Sequence, residues 1–270
     1  MLFSAISEYE GAIRLSVFIG LFSLLLCWEQ LRPSRPVNAN NLYRRLSNLA
    51  LMLINTVVMR LLLPAVTVTS AAWASGQNIG LFYVFSPAPI LTLIGSFIAL
   101  DLIIYLQHIA LHKTPLLWRF HRVHHLDMHM DTTTGVRFHP VEALFSLLLK
   151  VLAIVLLGAP VITVILFEVT LNALSLFNHA NINIHRNLEP LLRLLLVTPH
   201  MHRIHHSVEA TEYSHNFGFN LSLWDRLFNT YLYRAKNGEQ KIRYGQKSLQ
   251  DAQMAGSLGK MLKIPFKMLK

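Results

Sequence analysis

The sequence predicts an all-α, polytopic membrane bundle that carries a histidine-rich helical cap on its cytoplasmic face. Three observations predict it. Hydrophobic residues make up 53% of the 270-residue chain and charged residues 14%, where soluble domains hold about 25% charged residues. Apolar segments long enough for a bilayer, which needs about 20 residues of helix, recur along the first two thirds of the chain. All 14 histidines fall between His108 and His215, in clusters with helical spacing.

The apolar segments come in order. The first, 12–31, lacks a basic leader and a small-residue cleavage site, and reads as a retained span. The second runs over 47–71 and the third over 89–111. The fourth region, 141–178, is nearly two spans long and holds Gly158-Ala159-Pro160 at its centre. Proline removes a donor and restricts its predecessor, so this region reads as a helical hairpin that enters and leaves on one side. Lys150 and Glu168 lie at equal offsets from Ala159, which puts them at the same depth in an antiparallel hairpin and predicts that they pair.

Charge then orients the bundle. The 32–45 loop holds Arg32, Arg35, Arg44 and Arg45 and no acid, whereas 72–88 is uncharged. By the positive-inside rule the arginine-rich loop is cytoplasmic, the N-terminus and the 72–88 loop are outside, and everything after 179 is cytoplasmic. Leu188–Val197 and Asn220–Tyr233 read as amphipathic helices. The tail Lys260–Lys270 mixes four lysines with apolar residues and reads either as a membrane-surface segment or as a frayed basic end. The net charge of +10 in so apolar a chain points to anionic lipid headgroups and not to nucleic acid. The one cysteine, Cys27, excludes a disulfide framework and reads as a packing residue. The expected organisation is transmembrane helices over 1–94, a histidine-bearing domain over 95–233 that includes the hairpin, and a basic cytoplasmic tail over 234–270.

His108 and His112 form H-x-x-x-H at the end of the third span. His121, His124 and His125 form H-x-x-H-H, and His202, His205 and His206 form a second. Positions i, i+3 and i+4 share one helix face, so each cluster presents two or three imidazoles in one direction. Neutral imidazole ligates iron, zinc, copper and nickel. Eight imidazoles exceed the needs of one ion, which takes four ligands in a tetrahedron and at most six in an octahedron, so the count predicts two ions. H-E-x-x-H zinc-protease chemistry is excluded, because Ile109 stands where the glutamate belongs.

This order of motifs on a membrane chain resembles the fatty acid hydroxylase and sterol desaturase superfamily. The resemblance covers roughly 95–233. It extends to Asp101-Leu102, Trp118-Arg119-Phe120-His121, Arg137-Phe138-His139-Pro140 with Glu142, Phe177-Asn178-His179, Thr198-Pro199, and Asn216-Phe217-Gly218 through Trp224-Asp225-Arg226-Leu227-Phe228. It implies two iron ions, O2 as co-substrate, hydroxylation or desaturation of a lipid, and electrons from a separate carrier. It also implies His179 as a ligand. Some relatives carry a histidine four residues later, where this chain has Asn183, a position that suits a bridging water, with His185 beyond.

Other residues are weighed with these. Asp101 lies seven residues before His108 on the same face, and reads as the acceptor for a ligating histidine or as the partner of an arginine. His139 either lines the site or supports the fold. His200 reads as lying behind the ligands or at the surface, and His129 and His215 read as loop residues. Trp224 and Asp225 are candidates to cover the site from the cytoplasmic side. No Gly-rich dinucleotide fingerprint or haem-binding element is present, so reducing equivalents come from a partner, such as an acidic ferredoxin or small cytochrome on the basic face. Zinc is expected to substitute in purified protein, because it outcompetes Fe(II) at nitrogen sites. A His-rich metal transporter and a metal-dependent lipid hydrolase are the rival readings. The short N-terminus and single compact domain suggest a bacterial inner membrane, or the endoplasmic reticulum in a eukaryote.

Overall fold

The computed structural model describes residues 9–36, 42–63 and 65–267, and those residues form helices joined by loops, with isolated bridges in place of strands. Five stretches among them are long and apolar enough to cross a membrane: Glu10–Leu31, Leu42–Phe85, Pro89–Lys113, Pro140–Leu157 and Val161–His179. The protein is an integral membrane protein built as an all-α bundle. Its helices are α1 (Glu10–Leu31), α2 (Leu42–Leu62), α3 (Val66–Gly76), α4 (Leu81–Phe85), α5 (Pro89–Lys113), α6 (Pro115–His125), α7 (Pro140–Leu157), α8 (Val161–His179), α9 (Glu189–Leu195), α10 (Pro199–His205), α11 (Ala210–Tyr213), α12 (Leu223–Leu227), α13 (Ala252–Gly256) and α14 (Leu258–Lys263).

The hairpin forms as its sequence predicts. Gly158 adopts φ 68° and ends α7, and Pro160 caps the start of α8. A Cβ on Gly80 would meet the Gly158 backbone at 2.2 Å, so the hairpin turn and the 77–80 loop press together at one end of the bundle. The histidines gather at the other. Lys150 Nζ donates to Glu168 Oε1 at 2.9 Å, which is the predicted pairing. Sequence spacing did not reveal that Arg14 on α1 and Thr67 on α3 also donate to Glu168.

Several expectations are corrected. The second span begins at Leu42 and breaks after Leu62, where Ala65 takes a left-handed φ of 50° and α3 then covers part of the expected 72–88 loop. A proline stands at position 64, outside the described residues, and proline interrupts a helix by removing a donor. Only Leu223–Leu227 of the 220–233 segment is helical, because Asn229 turns left-handed at φ 57° and Asp225 caps backbone N–H groups elsewhere. The described part of the tail is docked and not frayed. Met261 and Ile264 are buried against Leu51, Val123 and Leu126, and Arg122 donates to the Ile264 and Lys267 carbonyls. Residues 268–270 of that tail, Glu8, and residues 37–41 of the arginine-rich loop lie outside the described residues. Cys27 is exposed on α1 and does not pack in the interior. Helix α9 forms where an interfacial helix is expected, with Leu191, Leu194 and Leu195 more than 60% exposed and Glu189 paired to Arg193 on its buried side.

Two corners position the site. Pro115 disfavours a helical predecessor, so Thr114 is extended (φ −95°, ψ 115°), ends α5 and starts α6 with one residue between them. That turn folds the α6 histidines back over those of α5. Pro199 opens α10 in the same way, with the Thr198 hydroxyl accepting from Met201 N–H.

Candidate metal centre

Nine imidazoles converge at the end of the bundle opposite the hairpin turn, in two groups. His108, His112, His121, His125 and His205 form one, and His124, His179, His202 and His206 form the other. Within each group the candidate nitrogens lie within 4.8 Å of one another. One ion with metal–nitrogen bonds of about 2.0–2.1 Å would draw nitrogens to such a spacing.

The expectation that each H-x-x-H-H aims in one direction is corrected, because each motif is divided between the groups. From the first, His121 and His125 join the five-membered group and His124 the four-membered one. From the second, His205 joins the five and His202 and His206 join the four. Residues i and i+4 sit about 40° apart around a helix and i+3 lies on the other flank, so one helix reaches sites on both sides. The two helices do so with opposite hands, and the groups touch where His125 stacks on His206 at 4.4 Å between centroids.

Hydrogen bonds fix the rings. His108 Nδ1 lies 2.8 Å from the Phe217 carbonyl, His205 Nδ1 2.8 Å from the His215 carbonyl, and His179 Nδ1 2.6 Å from the Ser175 carbonyl. His124 Nδ1 is 3.2 Å from the Arg137 carbonyl, and His121 Nδ1 is 2.7 Å from Glu142 Oε1. A carbonyl only accepts, so four of these rings carry their proton on Nδ1 and turn a lone pair outward on Nε2; the carboxylate of Glu142 holds His121 in the same form. Yet His108 Nε2 and His205 Nε2 face each other at 3.0 Å, and His124 Nε2 and His179 Nε2 also at 3.0 Å. Two lone pairs at that distance repel unless a cation lies between them. His121 Nε2, His125 Nε2 and both nitrogens of His112 are buried with no partner among the described residues. The donor set fits two transition-metal ions held by neutral nitrogen.

Burial keeps the rings neutral. It drives His124, His125, His202 and His206 well below the ordinary histidine pKa, with neighbouring imidazoles pushing the same way, and it takes His205 down to about 3.

Buried polar groups brace the ligand-bearing segments. Arg137 is fully buried and donates to the Val123 carbonyl, Asn48 Oδ1 and the Ala255 carbonyl, while its own carbonyl holds His124. Asp127 receives Arg44, Asn48 and Thr134; burial raises its pKa, but Arg44 and Arg137 outweigh this and hold it at about 2. Arg203, inside the second H-x-x-H-H, donates to the Ala180 and Ile182 carbonyls and so clamps the chain just after His179.

The remaining sequence candidates stand outside the two groups. Asp101 does not accept from a histidine or an arginine: its Oδ2 takes the Trp224 indole N–H at 2.8 Å and Leu221 N–H at 3.2 Å. Trp224 and Asp225 thereby tie the 216–225 segment, and the Phe217 carbonyl with it, over His108. His139 caps α7, its Nδ1 accepting from Val141 N–H, and its Nε2 lies 3.3 Å from the Leu262 carbonyl. His200 pairs with Glu239 at 2.8 Å. Asn183 and His185 are exposed, and Asn183 N–H donates to the Arg32 carbonyl, so neither faces the centre. His129 lies in its loop, and His215 contributes only its carbonyl. Glu142 was the residue not recognised as a histidine partner, although its place two residues after His139-Pro140, in the first turn of α7, carried a signal.

A cleft of about 700 Å³ runs from the centre into the membrane-spanning bundle. Leu15, Phe18, Leu53, Leu111, Leu147 and Phe219 line it, and it reaches His108 and His121. A smaller opening of about 320 Å³, bordered by Trp118, Tyr213, Glu209 and Lys247, reaches His125 from the other direction. Trp118 stacks on Tyr213 with centroids 5.9 Å apart and stands 4.9 Å from His112.

Comparison with known proteins places this geometry. The sequence model described as fatty acid hydroxylase matches residues 93–230. An ornithine lipid hydroxylase, OlsE, of Rhizobium tropici is 34% identical over 128 residues, covering 47% of this chain and 38% of that protein. The alkylglycerol monooxygenase of Danio rerio is 30% identical over 136 residues, 50% of this chain and 29% of that protein. The human alkylglycerol monooxygenase is 27% identical over 151 residues, 56% of this chain and 32% of that protein. The chain spans less than two fifths of the length of these relatives. No solved structure matches it significantly.

Proposed function

The chain belongs to the fatty acid hydroxylase family, and from that premise we propose that it is a di-iron membrane oxygenase that hydroxylates or desaturates a lipid with O2 and electrons from a separate carrier. The single observation that carries the proposal is the pair of Nε2 lone pairs facing each other in each histidine group while their Nδ1–H groups are committed elsewhere. When bound, a pair of iron ions supplies activation of O2 and of a lipid C–H bond.

The chain's own residues do the rest. The nine histidines would hold the ions, His108, His112, His121, His125 and His205 around one and His124, His179, His202 and His206 around the other. The carbonyls of Phe217, His215, Ser175 and Arg137 and the carboxylate of Glu142 fix which nitrogen faces each ion and how the ring is turned. The cleft admits an alkyl chain from the bilayer toward His108 and His121, along Leu15, Phe18, Leu53, Leu111, Leu147 and Phe219. The names of the relatives point to polar membrane lipids with long chains, and the cleft suits that class. The smaller opening beside Trp118 and His125 is bordered by Lys247 and Glu209; Lys113, Arg119, Lys263 and Lys267 are exposed elsewhere on the chain, and such basic groups suit an acidic ferredoxin or small cytochrome. We place that face in the cytoplasm, since the arginine-rich loop lies on the same side. The rival of ion transport is disfavoured because the histidines gather at one end of the bundle instead of lining a path through it.

Isotope labelling tests the reading. Purified, iron-loaded protein is incubated with membrane lipid extract, a reductase system and labelled O2 in ordinary water, then with ordinary O2 in labelled water. Hydroxylation predicts label in the product from O2 only, and desaturation predicts a new double bond that requires O2. Product oxygen derived from water, or turnover without O2, would overturn it in favour of hydrolysis.

A further inference from the structure

We propose that Asn55, Gln107 and Glu142 form a recognition site, at the metal end of the cleft, for an uncharged O–H or N–H donor on the lipid, so that the carbon attacked lies a few atoms from a hydroxyl or amide group. The proposal rests on the lipid-oxygenase reading and narrows its substrate class.

Three oxygens carry it. Asn55 Oδ1, Gln107 Oε1 and Glu142 Oε2 are each buried without a partner among the described residues, and all three residues line the cleft. The orientation of Asn55 is settled, because its amide nitrogen donates to the Phe138 carbonyl at 2.8 Å, and a carbonyl only accepts. Glu142 uses Oε1 to hold His121, which leaves Oε2 over. Gln107 shares the cleft-facing stripe of α5 with Ile104, His108 and Leu111. A buried acceptor without a donor is a costly state in a folded protein and calls for a partner.

These groups come from three elements that meet at the metal end. Gln107 adjoins His108, Glu142 bonds His121, and Asn55 is bonded to Phe138, whose ring stacks on His124 at 4.7 Å. Elsewhere the cleft is lined largely by apolar side chains, and its lip is formed by Leu15 and Leu53, 57% and 61% exposed on the lipid side of α1 and α2. Lys150 marks its far end, eight residues or about 12 Å along α7 from Glu142. Of the cleft's cations, Lys150 and Arg14 are already paired to Glu168, while Arg60, five residues along α2 from Asn55, has no ion pair among the described residues. A plain hydrocarbon would leave the three oxygens unpaired. A lipid with a hydroxyl or amide N–H would satisfy them while its chain lies in the apolar part. Sites built around a substrate hydrogen bond reject analogues that lack it, because their own polar groups are then stranded.

The test reads binding and needs no turnover. Full-length protein loaded with redox-inert zinc is placed in lipid nanodiscs carrying a photoreactive long-chain monoglyceride. Competitors are the unlabelled monoglyceride, its O-methylated form, a long-chain primary amide, its N,N-dimethyl form, and an alkane of the same length. Donor-bearing competitors are expected to displace the probe at concentrations about tenfold or more below those of the methylated forms and the alkane. The hydroxyl and amide arms separate the two donor types. Gln107→Leu is expected to shrink that discrimination at least threefold while leaving displacement by the alkane unchanged or stronger. Equal displacement by methylated and unmethylated forms would overturn the proposal, as would unchanged discrimination in folded Gln107→Leu protein. The analogue series on the unaltered chain decides the matter even where the variant does not fold. Equal displacement combined with O2-derived oxygen in the product would remove this proposal and leave the oxygenase reading standing.

Discussion

Lys150 and Glu168 meet at 2.9 Å inside the hairpin, nine residues on either side of Ala159, with Arg14 and its partner Glu10 completing a four-charge cluster. Removing one partner of a buried pair strands the other, at a cost of about 3–5 kcal/mol, whereas apolar replacement of both is often neutral. Glu168→Gln is therefore expected to lower the thermal midpoint and membrane yield more than Lys150→Met combined with Glu168→Leu, in which Arg14 keeps Glu10. Thermal unfolding in detergent checks this. Losses that simply add would reject coupling.

The support of the histidines is separable from ligation. Glu142→Ala removes the acceptor of His121 and is expected to lower metal affinity 10–100-fold, the usual cost of losing such a partner. His139→Ala removes a helix cap and is expected to cost about 1 kcal/mol of stability with metal content intact. Metal titration against unfolding midpoints distinguishes the two. Equal metal loss in both variants would contradict the division.

Nine clustered imidazoles, eight of them on buried residues, make the metal-free protein acid-sensitive. Unfolded histidines titrate near 6.5, while His205 in the fold sits near 3 and His124, His125, His202 and His206 lie well below their ordinary value. Between those limits the unfolded chain binds more protons, so stability falls as pH drops below 6.5, by roughly 1.4 kcal/mol per pH unit for each fully titrating ring. Asp127, held at about 2 against an ordinary 3.8, extends the loss to lower pH. Burial pushes Asp225 up to about 6, and it works in the opposite sense between 3.8 and 6. The midpoint of chelated protein should fall steadily from pH 7 to pH 5. A flat profile would contradict buried neutral imidazoles.

Much of this was legible because helical spacing and hydrophobic length are local. The hairpin, the depth of Lys150 and Glu168, and the eight histidines of the three clusters follow from counting residues, whereas His179 rests only on the family resemblance. The division of each motif between two groups was not legible, since it depends on how α6 and α10 are turned by the corners at Thr114 and Thr198. Asp101 shows the limit of spacing: it shares a face with His108, but its partner arrives from Trp224, far along the chain. The carbonyls of Phe217 and His215 that orient the rings have no side-chain signature at all.

The orientation of the bundle is open to labelling. Cys27 is exposed and must first become serine. A cysteine replacing Gly76 should then react with an impermeant reagent from outside the cell, and one replacing Gly238 should not, since the two lie at opposite ends of the bundle. The reverse pattern would place the histidines outside.

The division into five and four is tested most directly by anomalous diffraction at the iron edge from crystals of protein loaded anaerobically with Fe(II). Two peaks are expected, one enclosed by His108, His112, His121, His125 and His205 and the other by His124, His179, His202 and His206. A single peak, or peaks away from these nitrogens, would contradict a two-ion centre.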